Sequence, residues 1–150
     1  MDHLRAKLLE ILQKGSDMTI ATQRTDNYPQ ATTVSYVSDG FEIYFGCGAT
    51  SQKARNLATR PEVSLTINLP YEDWDHILGI SAGGQCSRVT DLVEIGRFSK
   101  LTLAKFPQVL TYAGQDVGAE LAVFKIKLKV VSLLDYTQGF GHNDLLVLDA

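Results

Sequence analysis

The stretch from Ala31 to Asn68, ATTVSYVSDGFEIYFGCGATSQKARNLATRPEVSLTIN, constrains the fold more than any other part of the chain. Strand side chains alternate with a period of two, so Ala31, Thr33, Ser35 and Val37 fall on one face and Thr32, Val34 and Tyr36 on the other. Ser38-Asp39-Gly40 supplies turn chemistry, and Phe41, Ile43 and Phe45 then alternate with Glu42, Tyr44 and Gly46, which reads as a returning hairpin strand. After Gly46-Cys47-Gly48, Thr50 or Ser51 can cap a helix whose narrow apolar face is Ala54, Leu57 and Ala58, and Pro61 interrupts it. Val63, Leu65 and Ile67 alternate with Ser64, Thr66 and Asn68 in a third strand, a pattern that suits a barrel wall.

The charges of the short helix carry chemical information. A helix N-terminus holds partial positive charge and favours Asp or Glu, yet Lys53 and Arg55 occupy its first turn. An anion would offset that placement, because unpaired backbone N–H groups, the Ser51 hydroxyl and the Lys53 ammonium can converge on a few oxygens. Ser51, Gln52 and Lys53 are therefore candidate phosphate ligands. The spacing is equally compatible with Ser51 as a plain cap and Lys53 as a solvated side chain.

Around this stretch the chain reads as one meander. Leu4, Leu8, Ile11 and Leu12 mark an amphipathic helix between a possible Asp2 cap and a Gly15 stop, packed on a sheet. Met18 to Thr22 is a short strand, and Asp26-Asn27 before Tyr28-Pro29 is a turn. Leu69 to Asp75 is a loop holding Trp74. His76 to Val89 follows as a strand interrupted by Gly79, Gly83 and Gly84, which points to a bulge, barrel curvature or close approach of a ligand or partner. Asp91 and Glu94 resemble a capping arrangement for a helix to about Lys105, with Ile95, Phe98, Leu101 and Leu92 turned inward. Thr111 to Gly118 is expected to be a surface loop.

Ala119 to Leu134 alternates Ala122, Phe124, Ile126, Leu128 and Val130 against Lys125, Lys127 and Lys129, a strand whose lysine row is a solvated edge guard or an anion-binding face. The final Leu145 to Leu148 is too apolar to remain in water and is expected to dock, another subunit being one option.

At 150 residues the chain is about one domain long and can bury a real core. A net charge of -3 leaves no basic footprint for nucleic acid. No apolar run reaches the roughly 20 residues that span a bilayer, and the N-terminus lacks the apolar core of a signal peptide, so a cytoplasmic protein without membrane contact is expected. Cys47 and Cys86 lack CxxC spacing and the three histidines are scattered, so neither a disulfide framework nor a metal site is indicated.

The order of these elements, and above all YFGCGATSQKARNL followed at a fixed interval by RPEVSLTI, resembles the pyridoxamine 5'-phosphate oxidase-like FMN-binding family over nearly the whole chain. The resemblance implies an α+β protein built on a split antiparallel β-barrel with flanking helices, and a homodimer with FMN at the subunit interface. It implies that Thr32, Thr33, Val34 and Ser35 border the isoalloxazine ring, that Ser51, Gln52 and Lys53 hold the phosphate, and that Cys47 and His76 contact the cofactor. Cys47 stands where the family often has threonine and Ala31 where the oxidase proper has arginine. The tail GFGHND replaces a substrate-binding segment rich in arginine and tryptophan, so pyridoxine phosphate is not the expected substrate.

Two functional readings follow. One is an FMN-dependent oxidoreductase acting on a small molecule, with the cofactor supplying hydride transfer and the protein supplying orientation and electrostatics. The other is a flavin-binding or sensing module without turnover, or a relative whose barrel holds a deazaflavin or haem.

Overall fold

The computed structural model describes residues 2–112 and 120–148. Its chain order is α1 (His3–Lys14), β1 (Asp17–Gln23), β2 (Pro29–Ser35), β3 (Val37–Asp39), β4 (Glu42–Gly48), α2 (Gln52–Thr59), β5 (Glu62–Asn68), β6 (Leu78–Arg88), α3 (Leu92–Lys105), α4 (Val109–Tyr112), β7 (Leu121–Asp135) and β8 (Asn143–Val147), with one-turn 3₁₀ segments at Trp74–His76 and Tyr136–Gln138. Among the described residues no helix is long and apolar enough to cross a membrane.

All strand pairs are antiparallel, in the order β2-β1-β5-β6-β7-β4-β3, with β8 added to β7. The two ends of that path, β2 and β3, are halves of one segment broken only at Tyr36, so the sheet curls round until its ends meet. The single strand expected over Ala31–Val37 is thus split at Tyr36, whose N–H donates to the Ser16 carbonyl and whose Oη donates 2.8 Å to that of Leu12. This is a split barrel. Its closing hairpin turns at Gly40, whose φ of +60° suits a residue without Cβ.

The barrel is filled by the inward positions of the strands and plugged by α1. Asp2 caps α1 through the Arg5 N–H, and Leu8, Ile11 and Leu12 are fully buried against Ile20, Ile43, Phe45, Ile67, Ile80 and Ile126. Each such side chain contributes about 1.5–3 kcal/mol of burial.

Alternation along β7 changes phase midway. Gly83 pairs with Val130 and Gly84 with Leu128, so Lys129 is the extra residue of a β-bulge. Ala122, Phe124, Ile126 and Leu128 face inward before it, Val131 and Leu133 after it, and Val130, expected inside, is 40% exposed.

The apolar tail forms β8 on the second half of β7, with Leu146 and Leu148 in the barrel core. It docks on its own chain through Leu146 and Leu148, while Leu145 and Val147 stay exposed. Most of the loop expected over Thr111–Gly118 lies outside the described residues.

A second, smaller core lies outside the barrel, where Ile95, Phe98, Leu101 and Phe106 cover Val37, Tyr44, Val89 and Val123. Asp91 caps α3 through the Glu94 N–H at 2.9 Å, as the sequence suggests, but Leu92, expected inside, is 81% exposed in the first turn. Polar contacts fasten this helix to the wall. Glu94 accepts 2.7 Å from the Tyr44 hydroxyl and 2.9 Å from the Lys125 ammonium, which also lies 3.6 Å from Glu42. Lys125 is therefore a tether, not a solvated edge guard.

Those donors, the Tyr44 hydroxyl first and then Lys125, hold the Glu94 carboxyl below its ordinary value. A carboxylate with a depressed folded-state pKa stabilises the fold above the unfolded-state value and loses that contribution as pH falls through the folded one. Glu94→Gln is accordingly expected to be less stable than wild type at pH 7, with the difference in thermal midpoint shrinking between pH 5 and pH 3. A gap that stays constant over that range would show that the Glu94 charge contributes nothing.

Candidate functional site

The site is built where β4 turns into α2. The Ser51 N–H donates to the Gly48 carbonyl at 3.0 Å, and the Ala49 N–H to that of Glu120 at 2.7 Å, which fixes the turn against the start of β7. Ser51, not Thr50, is the N-cap, its Oγ accepting from the Ala54 N–H at 3.2 Å. The Ser51 hydroxyl proton remains free to donate. The first turn of α2 contains no acidic residue.

Lys53 extends from this turn over the Phe45 ring, with Nζ 6.0 Å from the centroid. Burial pushes its pKa below the ordinary lysine value, and the nearby Cys47 acts in the opposite sense. Among the described residues Lys53 has no carboxylate partner, whereas Lys7, Lys14, Lys125 and Arg97 each have one. A half-buried ammonium without a counter-charge is an arrangement that an anion would stabilise.

Gln52 is engaged inside the helix. Its Nε2 donates to Asn56 Oδ1 at 2.8 Å and its Oε1 accepts from Arg55 at 2.8 Å. It can therefore meet an anion through its backbone N–H and the second amide proton. Asn56, 1% exposed, in turn donates 3.0 Å to Thr22 Oγ1 and 3.1 Å to Gln30 Oε1, tying α2 to β1 and the start of β2. Sequence reasoning missed Asn56 and placed Ala58 on the buried face, where the structure exposes it. The available signal was the i, i+4 spacing of Gln52 and Asn56 on one helix side.

The candidate ring-bordering residues divide between two faces of β2. Thr32 and Val34 turn toward the barrel, and Thr32 Oγ1 is buried with no hydrogen-bond partner. Thr33 and Ser35 turn outward, with Thr33 Oγ1 3.2 Å from Thr19 Oγ1. β2 pairs only with β1, so alternate N–H groups along its other edge stay available to a ligand. Cys47 is half-buried beside the corner and Cys86 is buried, both as free thiols, and burial pushes the Cys86 thiol up to about 12.

His76 does not join the corner within one chain. It lies in the Trp74–His76 turn beyond the far end of β5 from α2, and its Nδ1 is 2.6 Å from Asp73 Oδ1. Among the described residues no group of His, Cys, Asp and Glu side chains is arranged to hold a metal.

The residues at the corner fit a phosphate-bearing, flat cofactor. The corner offers a cation without a counter-charge and a capped helix start with free N–H groups, and β2 separately offers an unsatisfied buried hydroxyl at Thr32 and an open strand edge.

A barrel split at one strand, with a strand-to-helix turn between β4 and α2, defines the class of split β-barrel proteins. The chain belongs to the family described as pyridoxamine 5'-phosphate oxidase, whose model matches residues 4–135. No curated protein matches the sequence. In structure the chain is similar to a haem-binding protein from Mycobacterium smegmatis, with a TM-score of 0.81 and 19% identity over 98% of this chain and 59% of that one. It is also similar to an FAD-binding protein from Mesorhizobium loti, with a TM-score of 0.69 and 15% identity over 89% of this chain and 94% of the other. HutZ, the haem storage protein of Vibrio cholerae, gives a TM-score of 0.68 and 15% identity over 97% and 95% of the two chains. The chain thus spans 59% of the length of the mycobacterial protein and nearly all of the length of the other two.

Proposed function

We propose that this protein is an FMN-binding flavoprotein that performs oxidoreduction on a small organic molecule, working in the cytoplasm as a homodimer with the cofactor at the subunit interface. The observation that carries the reading is Lys53, a half-buried cation without a counter-charge beside the capped start of α2. Ser51, Lys53 and the backbone of Gln52 would hold the phosphate, while Thr32, Thr33, Val34 and Ser35 would border the ring and Cys47 the linker between them. His76 would reach the cofactor from the second subunit, since it lies beyond the opposite end of β5 from α2 in its own chain.

Bound FMN would supply the electron-pair chemistry. The chain's own part is to fix the phosphate with charge-assisted hydrogen bonds, to present free N–H groups of β2 to the pyrimidine edge, and to exclude water with the barrel wall. No side chain needs to act as an acid or base for that role.

A haem-binding reading stands beside this one. The imidazoles of His76 and His142 are each oriented by a carboxylate, Asp73 at 2.6 Å and Asp144 at 2.9 Å, leaving the other ring nitrogen free as metal-ligating histidines require. A visible spectrum of the purified protein, with mass analysis of the molecule released on denaturation, separates the two. The flavin reading expects oxidised-flavin bands and released FMN; a Soret band and released haem would replace it. Reduction of bound flavin by NADH or NADPH, followed by reoxidation by an organic acceptor, distinguishes an enzyme from a binding module.

A further inference from the structure

The lysines that alternate along β7 do not share one fate. Lys125 is bound to Glu94, but Lys127 and Lys129 have no carboxylate partner among the described residues. Both line a cavity of about 410 Å³ between the first turn of α1, the start of β4, the middle of β7 and the end of β8.

The floor of this cavity is apolar, with Leu128 and Leu148 buried and Phe41 half-buried against the barrel core. Its rim is basic. Lys127, Lys129 and Arg5 stand there with Glu42, the one carboxylate among the described lining residues. Glu42 is engaged elsewhere, 3.6 Å from the Lys125 ammonium, and Arg5 holds Asp2 at 2.6 Å. The two lysines without partners therefore set the sign of the site.

The β-bulge brings the second lysine to the cavity. Lys129 is the extra residue opposite Gly83 and Gly84, and a bulge re-aims a side chain out of plain alternation. Lys127 is exposed, whereas Lys129 is half-buried. The Lys129 carbonyl accepts from the Leu148 N–H at 2.8 Å, which draws the end of β8 alongside and completes the apolar floor. A lysine whose stem lies on apolar surface and whose ammonium lacks a counter-charge is placed to receive an anion.

We infer that this cavity binds a small amphiphilic organic anion, its head between Lys127 and Lys129 and its apolar body on Phe41, Leu128 and Leu148. An inorganic anion would leave the floor uncovered, and a neutral molecule would leave both ammonium groups unpaired. Glu42 at the rim opposes a second negative charge, so the head is a monoanion such as a carboxylate or sulfonate. The volume falls in the range of roughly 300–1,000 Å³ usual for small-molecule sites. Glu42 and Gly48 are opposite ends of β4, so the cavity lies roughly 20 Å along the strand from the Ser51 corner and does not depend on the flavin reading.

The test titrates anilinonaphthalene sulfonate, an apolar monoanion whose emission moves to shorter wavelength when it leaves water, into the full chain. A saturable blue shift is expected, reversed by octanoate but not by octanol, which has the same chain without the charge, nor by inorganic sulfate. Lys129→Met keeps the apolar stem and removes one charge-assisted contact, so it should weaken probe binding about tenfold. The double variant Lys127→Met/Lys129→Met should abolish the shift. Both substitutions should leave the far-ultraviolet circular dichroism, the thermal midpoint and FMN uptake unchanged. Raising the salt concentration should weaken binding to the wild type, because the rim charges are screened.

Absence of a saturable shift, displacement by octanol as readily as by octanoate, or undiminished binding to the double variant would each overturn the assignment. Loss of FMN uptake together with the shift would overturn it as well, since the probe would then report the Ser51 corner. Flavin content is read separately from the absorption spectrum. A wild-type protein that binds the probe through Lys127 and Lys129 but takes up no FMN would uphold this site and remove the flavin reading, whereas FMN uptake without probe binding would remove this site alone.

Discussion

Lys53→Ala is expected to weaken FMN binding ten- to a hundredfold without unfolding the protein. The estimate comes from losing one charge-assisted hydrogen bond, worth about 1.5–3 kcal/mol, and from the tenfold change in affinity that accompanies each 1.4 kcal/mol. Lys53→Met is the sharper variant, because it keeps an apolar stem over the Phe45 ring and removes only the ammonium. Burial already holds that ammonium below its ordinary pKa, so the unliganded Met variant should be at least as stable as wild type. A loss of affinity together with a retained or raised thermal midpoint would mark an anion-binding residue. If the Met variant bound FMN as tightly as wild type, titrated by quenching of flavin fluorescence, the phosphate would have to be held elsewhere.

The pairing of those two readouts separates Lys53 from its neighbours. Asn56 also supports the corner, but as a buried amide shared among Gln52, Gln30 and Thr22, so truncating it would leave several polar groups unpaired and lower stability as well as binding. Only a residue whose charge is uncompensated until the ligand arrives should lower affinity while leaving the empty protein intact.

Much of this was legible before any coordinates. Period-two alternation locates β4, β5 and the first half of β7, a short apolar run locates β1, and Asp2, Ser51 and Asp91 each cap the helix they precede. What escaped the sequence was set by contacts distant along the chain. Tyr36 breaks a strand because its hydroxyl reaches Leu12 in α1 and its N–H reaches Ser16, neither of which leaves a local signature. Lys125 looks solvated in a period-two reading because the carboxylate that binds it, Glu94, lies 31 positions back along the chain. The candidate corner at Ser51 was visible because it depends on neighbours within a few residues, whereas the cleft walled by Tyr36, Tyr44, Phe98 and Leu121 was not, since its walls come from four separate segments.

The bulge at Lys129 shows the same principle with the largest consequence for stability. Glycines in β6 announced an irregularity, yet only the pairing identifies which glycine requires it. A Cβ on Gly84 would stand 2.6 Å from the Lys127 carbonyl oxygen and 3.0 Å from Ile126 Cγ2, and the first of these belongs to the backbone of the neighbouring strand. A backbone atom cannot swing aside as a side-chain tip can, so relief requires moving β7 away from β6. That motion would undo the phase change which turns Val131 and Leu133 inward and carries β8 into place. Gly84→Val is therefore expected to cost about 3 kcal/mol or more, at the upper end for overpacking, and to lower the thermal midpoint by roughly 6–12 °C in a chain of this length. Gly83→Ala is the control, because its Cβ would meet only Val130 Cγ1 at 3.4 Å and the Val63 carbonyl at 3.9 Å, ordinary contacts. Equal midpoints for the two variants would mean that the sheet yields at Gly84 and that the bulge is held by something other than the close approach of β6 to β7.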